Sequence, residues 1–264
     1  MTTAVPRVSV VIPAYQEGSS IIPVLDRLLE SVSLPHEILV VVDLPDDSTI
    51  PFASRYAPQV RVLLNDYGRG PANAIRYGFD HASAPVVVVT MADGCDDPRQ
   101  IDELTRLVER GVVIAAASRY MPGGMQVGGP FLKRSLSRLA GRTLYTFARV
   151  GTRDATNSFK AYDHAFVERV RIDSRDGFEI GLELTAKARR ERLPVAEIPT
   201  VWLDRAEGES NFNLRKWLPK YLHWYWHAFG SAPKQHAPGR HGGIPERSDQ
   251  ASDVQETRHS GVAK

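Results

Sequence analysis

Three carboxylates, Asp93, Asp96 and Asp97, follow directly on the apolar run 86–92, and Pro98 closes the group. Acids this closely spaced suit a hard divalent cation, Mg²⁺ or Mn²⁺. Such a cation takes one or two carboxylates and fills its shell with substrate phosphates and water. It acts as a Lewis acid, offsetting charge on a departing diphosphate. Arg119, Arg134, Arg138 and Arg205 offer forked contacts to phosphate oxygens. A plainer role fits the same acids. Asp97 is placed to cap a helix that Pro98 opens at its first position. Spacing alone does not separate the two roles.

Those side chains need elements to position them. The β-branched run 86–90 reads as a strand buried on both faces, and 8–12, 37–43, 60–65 and 112–117 read likewise. Helices fall between them. Ile21, Leu25, Leu28 and Val32 recur at helical spacing, as do Ile101, Leu104 and Val108; a short helix spans 50–56 and another runs from Gly68–Gly70 to His81. Strand and helix in alternation mean βαβ units: an α/β fold with a mixed, mainly parallel sheet flanked by helices. Right-handed crossovers then bring Asp43, Gly68 to Gly70 and Asp93 to one sheet edge, where open α/β sheets bind ligands. This shared edge favours a site over scattered caps. The glycine turn follows the third strand and lacks a third glycine, so it is no dinucleotide fingerprint. Its glycines suit close backbone approach to a ligand and tight helix–strand packing.

The second half is less regular. Residues 120–130 read as a Gly- and Pro-rich loop, a mobile cover. A helix over 131–148 carries Lys133, Arg134 and Arg138; a strand lies within 154–162; a helix over 178–190 carries Glu179 and Glu183. Residues 195–203 alternate as a strand, with Pro199 marking an edge or bulge. A polar loop over 204–211 holds Arg205 and Ser210. The segment 214–229 is an aromatic and basic helix, with Leu214, Trp217, Leu218, Tyr221, Leu222 and Tyr225 on its apolar face. That face suits a membrane interface or the domain's own core. The division expected is 1–212 catalytic domain, 213–230 amphipathic helix and 231–264 disordered tail.

Bulk composition narrows the class. A formal net charge of +2 gives no basic excess for nucleic acid, and none is expected as a partner. The single cysteine, Cys95, excludes an internal disulfide framework and a cysteine-rich zinc site, and it points to a reducing compartment. No secretory signal opens the sequence, and no apolar run reaches the ~18 residues of a spanning helix.

The motifs, taken in order, resemble a known family. Val10-Val-Ile-Pro-Ala-Tyr-Gln-Glu17, the strand ending in Asp43, Gly68-x-Gly-x-Ala72 with Gly78, and the Asp93 turn resemble the family 2 glycosyltransferases of GT-A, Rossmann-like fold. Ser118-Arg-Tyr120, Asp154-x-Thr-x-Ser-Phe159, Glu197-Ile-Pro199 and Asp204-Arg-x-x-Gly-x-Ser210 resemble the branch of dolichol- and polyprenyl-phosphate hexosyltransferases. The likeness runs from Val8 to Asn211. It implies that Pro13, Tyr15, Glu17 and Asp43 hold nucleotide base and ribose, with Gly70 at the donor. Asp93 matches the second acid of the family's Asp-x-Asp metal motif. Arg119 and Arg205 would contact phosphates, Arg134 or Lys133 would be the helical cation, and Ser210 lies in the loop that closes over them. The chain departs from the pattern at Leu44, Met91 and Asn211. With Met91 in place of the first metal acid, Mg²⁺ or Mn²⁺ falls to Asp93 with Asp96 or Asp97.

The implied reaction is inverting transfer of a hexose from a GDP- or UDP-sugar to polyprenyl phosphate, at the cytoplasmic face of a membrane. The acceptor phosphate is already an anion, so no protein base is needed. A hydroxyl acceptor would need one, with Asp154 and Glu183 as candidates. The chain lacks the Gln-x-x-Arg-Trp motif of processive synthases, which argues against polymerisation. Two alternatives stay open: a soluble or tailoring acceptor, and a non-catalytic nucleotide-sugar-binding protein.

Overall fold

The computed structural model describes residues 5–175, 177–203 and 214–230. The first strand, β1 (Val8–Ala14), is buried along its whole length. Its alternate residues serve opposite faces, as a strand's two-residue period requires. Val8, Val10 and Ile12 pack against α1 (Ile21–Ser31) and α4 (Ile101–Glu109). Val11 packs into the other face with Ile75 and Phe79 of α3 (Pro71–His81) and Ile180 and Leu184 of α7 (Ile180–Arg190). Helices therefore cover both faces of the sheet.

The remaining strands of this sheet are β2 (His36–Val42), β3 (Val60–Leu64), β4 (Val86–Val89), β5 (Ile114–Ser118), β7 (Lys160–Asp163) and β8 (Val195–Pro199). The spatial order is β3-β2-β1-β4-β7-β5-β8. Six strands run in one direction, and β7 is antiparallel to both of its neighbours, β4 and β5. The mixed, mainly parallel sheet expected from the sequence is present. The C-terminal ends of β1, β2, β4 and β5 share one edge.

The structure corrects several element boundaries. The loop expected over 120–130 contains a short strand, β6 (Met125–Val127), paired in parallel with β9 (Val201–Leu203). The single strand expected over 195–203 is two strands that part at Thr200. Pro199 has no N–H for a ladder, and Thr200 turns to donate to the Ser118 carbonyl (3.0 Å) while accepting from the Met125 amide (2.9 Å). The helix expected over 131–148 is α5 (Phe131–Thr143) followed by a π turn to Ala148, which ends at left-handed Arg149. A helix too short for periodicity to reveal, α6 (His164–Arg169), is capped by Asp163, whose carboxylate accepts from the Phe166 amide at 2.7 Å. A further short helix, α2 (Ile50–Ala53), follows β2.

The aromatic helix α8 (Leu214–Ala228) contains Pro219. It belongs to the same compact unit as the sheet, and Trp224 and Ala228 pack with Leu182 and Ala186 of α7. Tyr221 and Tyr225 are half-buried there, whereas Leu218, Leu222 and Trp226 are exposed. The face that packs is thus offset from the apolar face expected. Trp224, Trp226 and Ala228 add apolar groups outside the expected face, so pattern could not choose the buried side. The tail expected beyond 230 lies outside the described residues.

Gly78 sets how closely α3 rides on the sheet. A Cβ there would collide with Cγ1 of Val11 and lie 3.0 Å from its Cγ2. Overpacking of this kind costs about 1–3 kcal/mol. Gly78→Ala is expected to lower the urea midpoint accordingly, with an unchanged denaturant slope. Parental stability in that variant would show that the helix can shift freely.

Candidate active site

The three acids after β4 separate by hydrogen bonding. Asp97 is the cap: its carboxylate accepts from the Arg99 amide (3.1 Å) and pairs with the Arg99 guanidinium (2.8 Å), which holds it below the usual carboxylate range. Asp96 is buried, and its Oδ2 accepts from the Thr90 hydroxyl (3.0 Å) and the Met91 amide (3.1 Å). Asp93 is half-buried and accepts from the Cys95 amide at 3.1 Å, across a turn where Gly94 takes φ 70°. Burial, reinforced by the negative charge of Asp93, pushes the Asp96 carboxyl up to about 7.

That shift has a testable sign. The folded state keeps a proton that the unfolded chain releases near the ordinary value of 3.8. Ionising Asp96 therefore removes stability as pH rises from about 4 to about 7. Asparagine keeps an acceptor for Thr90 and Met91 without the charge. In chelator, Asp96→Asn is expected to melt above the parent at pH 7.5, with the gain shrinking towards pH 4. A gain independent of pH would refute the raised pKa.

Arg119 follows β5 directly. Its guanidinium forks onto Asp154, with Nε to Oδ2 at 2.7 Å and an NH2 group to Oδ1 at 2.9 Å. Its own amide adds a third bond to Oδ2 at 3.0 Å. Asp154 is fully buried. Burial alone would push its carboxyl up, but Arg119 outweighs that and holds it below the usual range. Asp154 in turn raises the Arg119 guanidinium against its own burial. Under the pair lies Lys160, fully buried on β7, donating to the carbonyls of Ala155 (3.0 Å) and Asn157. Burial lowers its ammonium to about 7, with Asp154 opposing and Arg119 adding to the shift. Asn157 Nδ2 donates to the Ala117 carbonyl at 2.9 Å and so ties this loop to β5.

Asp43 lies just beyond β2. It accepts from Asn65 Nδ2 (2.7 Å) and from the Gly70 amide (2.8 Å). Gly70 sits at φ 127°, ψ 151°, a conformation open essentially to glycine alone, and it opens α3. Pro13 is buried within β1, and Tyr15 beyond it is exposed. The loop around Glu17 is held by two residues that follow β2, Asp47 and Thr49. Buried Asp47 accepts from the Gln16 amide (3.0 Å), and Thr49 Oγ1 accepts from the Glu17 amide (3.0 Å). Gln16 has φ 56°, so this loop is under backbone strain that Asp47 restrains.

Asp43 and Gly70 are thus in direct contact, and the charges of Asp93 and Arg119 both act on Asp96. Arg134 is half-buried on α5 with its guanidinium 5.8 Å from the Phe131 ring. Arg205 and Ser210 lie outside the described residues. Neither base candidate is poised for that role. Asp154 is committed to Arg119, and buried Glu183 accepts from the amides of Asp173 (2.6 Å) and Ser174 (2.8 Å). Sequence reasoning missed Asn157 and Lys160. Their signal was that both lie in the segment 154–162, which reads as containing a strand.

A sheet of this order, with acids and an arginine at one edge, is the GT-A arrangement. The profile of the family described as Glycosyl transferase family 2 matches residues 9–171, and the chain belongs to that family. It is 29% identical over 230 residues to a polyprenol monophosphomannose synthase of Mycolicibacterium smegmatis, covering 83% of this chain and 86% of that protein. It is 31% identical over 210 residues to a dolichol-phosphate mannosyltransferase of Pyrococcus furiosus, covering 77% of this chain and 58% of that longer protein. Among solved structures, glucosyl-3-phosphoglycerate synthase of Mycobacterium tuberculosis, in complex with Mn²⁺, UDP and glucosyl-3-phosphoglycerate, superposes with a TM-score of 0.65 at 16% identity. The match covers 87% of this chain and 82% of that one.

Proposed function

We propose that the protein transfers a hexose, with inversion, from a nucleotide diphosphate sugar to polyprenyl phosphate. The observation that carries this reading is the juxtaposition of the Asp93–Asp96 pair with Arg119 at the sheet edge, with every candidate protein base engaged elsewhere. An acceptor that is already an anion needs no base, and the names of the two mannosyl-transferring relatives support that acceptor class.

The donor set fits a divalent cation. Burial, with the charge of Asp93 adding to it, raises the Asp96 carboxyl to about 7, and a dication beside the two acids would favour its ionised form. Among the described residues no group of three metal-ligating side chains exists, yet Mg²⁺ and Mn²⁺ need only one or two carboxylates beside substrate phosphates. Asp93, with Asp96 behind it, would hold the ion; when bound, it supplies charge neutralisation for the leaving diphosphate. Arg119, fixed by Asp154, directs positive charge at the phosphates without reorganising. Pro13, Tyr15, Glu17 and Asp43 border the place of the base and ribose, and Gly70 lets the backbone approach. Arg134, Arg205 and Ser210 would contact the phosphates, a role that the family resemblance supports.

The acceptor demands a membrane surface. Among the described residues no helix is long and apolar enough to cross one. Phe131, Leu132 and Leu139 on α5 and Leu222 and Trp226 on α8 are exposed, with Phe131 at 74% and Trp226 at 67%. Apolar helix faces of this kind suit peripheral contact, and we assign the protein to the cytoplasmic face of the membrane.

Purified protein should be incubated with radiolabelled GDP- and UDP-hexoses, Mn²⁺ and polyprenyl phosphate. Label in the organic phase, dependent on the lipid, is the expected result. Transfer only to soluble acceptors, or nucleotide-sugar binding with no transfer, would overturn the reading.

A further inference from the structure

A cavity of about 550 Å³ opens away from the active site, lined by Arg149, Val150, Gly151, Arg189, Arg192 and Val195, with Leu193. Val195 begins β8 and pairs with Ile114 at the start of β5, whereas Arg119 follows the end of β5. The length of a five-residue strand, about 13 Å, separates the two ends.

Three observations mark this cavity. Its described lining holds three guanidinium groups and no carboxylate. The neighbouring acids are engaged: Glu191 pairs with Arg169 (2.7 Å) and Glu197 with Arg153 (2.5 Å). Second, Arg149 and Arg192 occupy left-handed backbone positions, at φ 58° and 60°, each just past the end of a helix. Glycine is favoured there and a long side chain is strained, so guanidinium groups stand where the backbone prefers none. Third, Arg189 of the lining ties down two backbone positions, each preceded by an exposed phenylalanine. Arg189 Nε holds the Ala148 carbonyl (2.6 Å) and its NH1 the Gly230 carbonyl (2.9 Å). The residues just before those two, Phe147 and Phe229, are exposed.

We propose that this cavity is a second anion site, taking the phosphate of an acidic lipid headgroup while these two aromatic side chains sit in the membrane interface. A cationic pocket together with interfacial aromatics is the chemistry that recognises such a headgroup. The proposal rests on the membrane-facing reading of α5 and α8. It extends that reading from apolar contact to a choice of lipid charge.

The test exploits the backbone. Arg149→Gly with Arg192→Gly removes two charges at positions where glycine relaxes strain, so the full-length double variant is expected to melt no lower than the parent. A control, Arg55→Ser with Arg110→Ser, removes two exposed charges elsewhere. Binding is read by co-sedimentation with vesicles of phosphatidylcholine alone or with 30% phosphatidylglycerol. The parent is expected to prefer the acidic vesicles. The glycine variant should lose about 30-fold in affinity for them and keep its binding to neutral ones, while the control loses little. Parent binding to both vesicles alike overturns this proposal and leaves the membrane reading intact; binding to neither overturns both. A control loss equal to that of the glycine variant reduces the effect to net charge and overturns the site. Inorganic phosphate stabilising the parent but not the glycine variant, without any vesicle preference, overturns the lipid assignment.

Discussion

Asp154→Ala is expected to destabilise the protein by about 3–5 kcal/mol, the cost of leaving one partner of a buried ion pair alone. Arg119 keeps only 12% of its side chain exposed, and its Nε, an NH2 group and its backbone amide all lose their acceptor together. Lys160 loses the one charge that supports its ammonium and is driven towards its neutral form, while the Arg119 guanidinium, which cannot shed its proton, is left buried without its carboxylate partner. Asp154→Asn keeps the shape and one acceptor and should cost less. Urea titration of the three proteins measures the series. A loss below about 1 kcal/mol for the alanine variant would put this pair in the class of solvent-screened bridges and refute the account of a buried brace. Activity should fall as well, since Arg119 would no longer be aimed before substrate arrives.

Asp93→Ala is expected to reduce sugar transfer by about 10³-fold while leaving the fold intact. A bound cation contributes several kcal/mol of charge stabilisation to departure of a diphosphate, and each 1.36 kcal/mol is tenfold in rate. Asp93 is half-buried on a turn, and removing its charge takes away one of the two influences that raise Asp96. The metal-free variant should therefore melt no lower than the parent at pH 7.5. A second readout is independent of catalysis. Mn²⁺ should increase the thermal stabilisation that a nucleoside diphosphate gives the parent, and this increment should vanish in the variant. Retained transfer together with a retained Mn²⁺ increment would remove Asp93 from the site.

The parts of this molecule legible in its sequence are those that local pattern encodes. The run 86–90 had to be a buried strand because its β-branched residues carry no polar alternation. Pro98 made Asp97 a plausible cap, though it also stood among the metal candidates, and its bond to the Arg99 amide shows the cap. Asp93 and Asp96 could not be told apart by spacing; the difference lies in which carboxylate the Thr90 hydroxyl and the Met91 amide reach. Arg119 and Asp154 are 35 residues apart, and nothing local to either announces the other. The same limit hid the place of β7. Its residues read as a strand, but a strand's neighbours are chosen by the whole sheet, not by its own composition. In α8 the difficulty was the reverse, an excess of apolar residues with too little periodicity to fix a buried side.

The position of β7 also constrains the order in which the molecule can be built. Strands β1 to β4 can assemble as their residues leave the ribosome, each beside one already made. Strand β5 cannot join them directly, because the slot beside β4 belongs to a segment synthesised more than forty residues later. Until Lys160–Asp163 arrives, β5 is an edge without a partner, and Arg119 at its tip lacks Asp154. Closing that gap is a step of high contact order, slow by its loop entropy. The half of the pocket around Asp43 and Gly70 should therefore mature early, and the cationic half should be among the last parts of the nascent chain to lock.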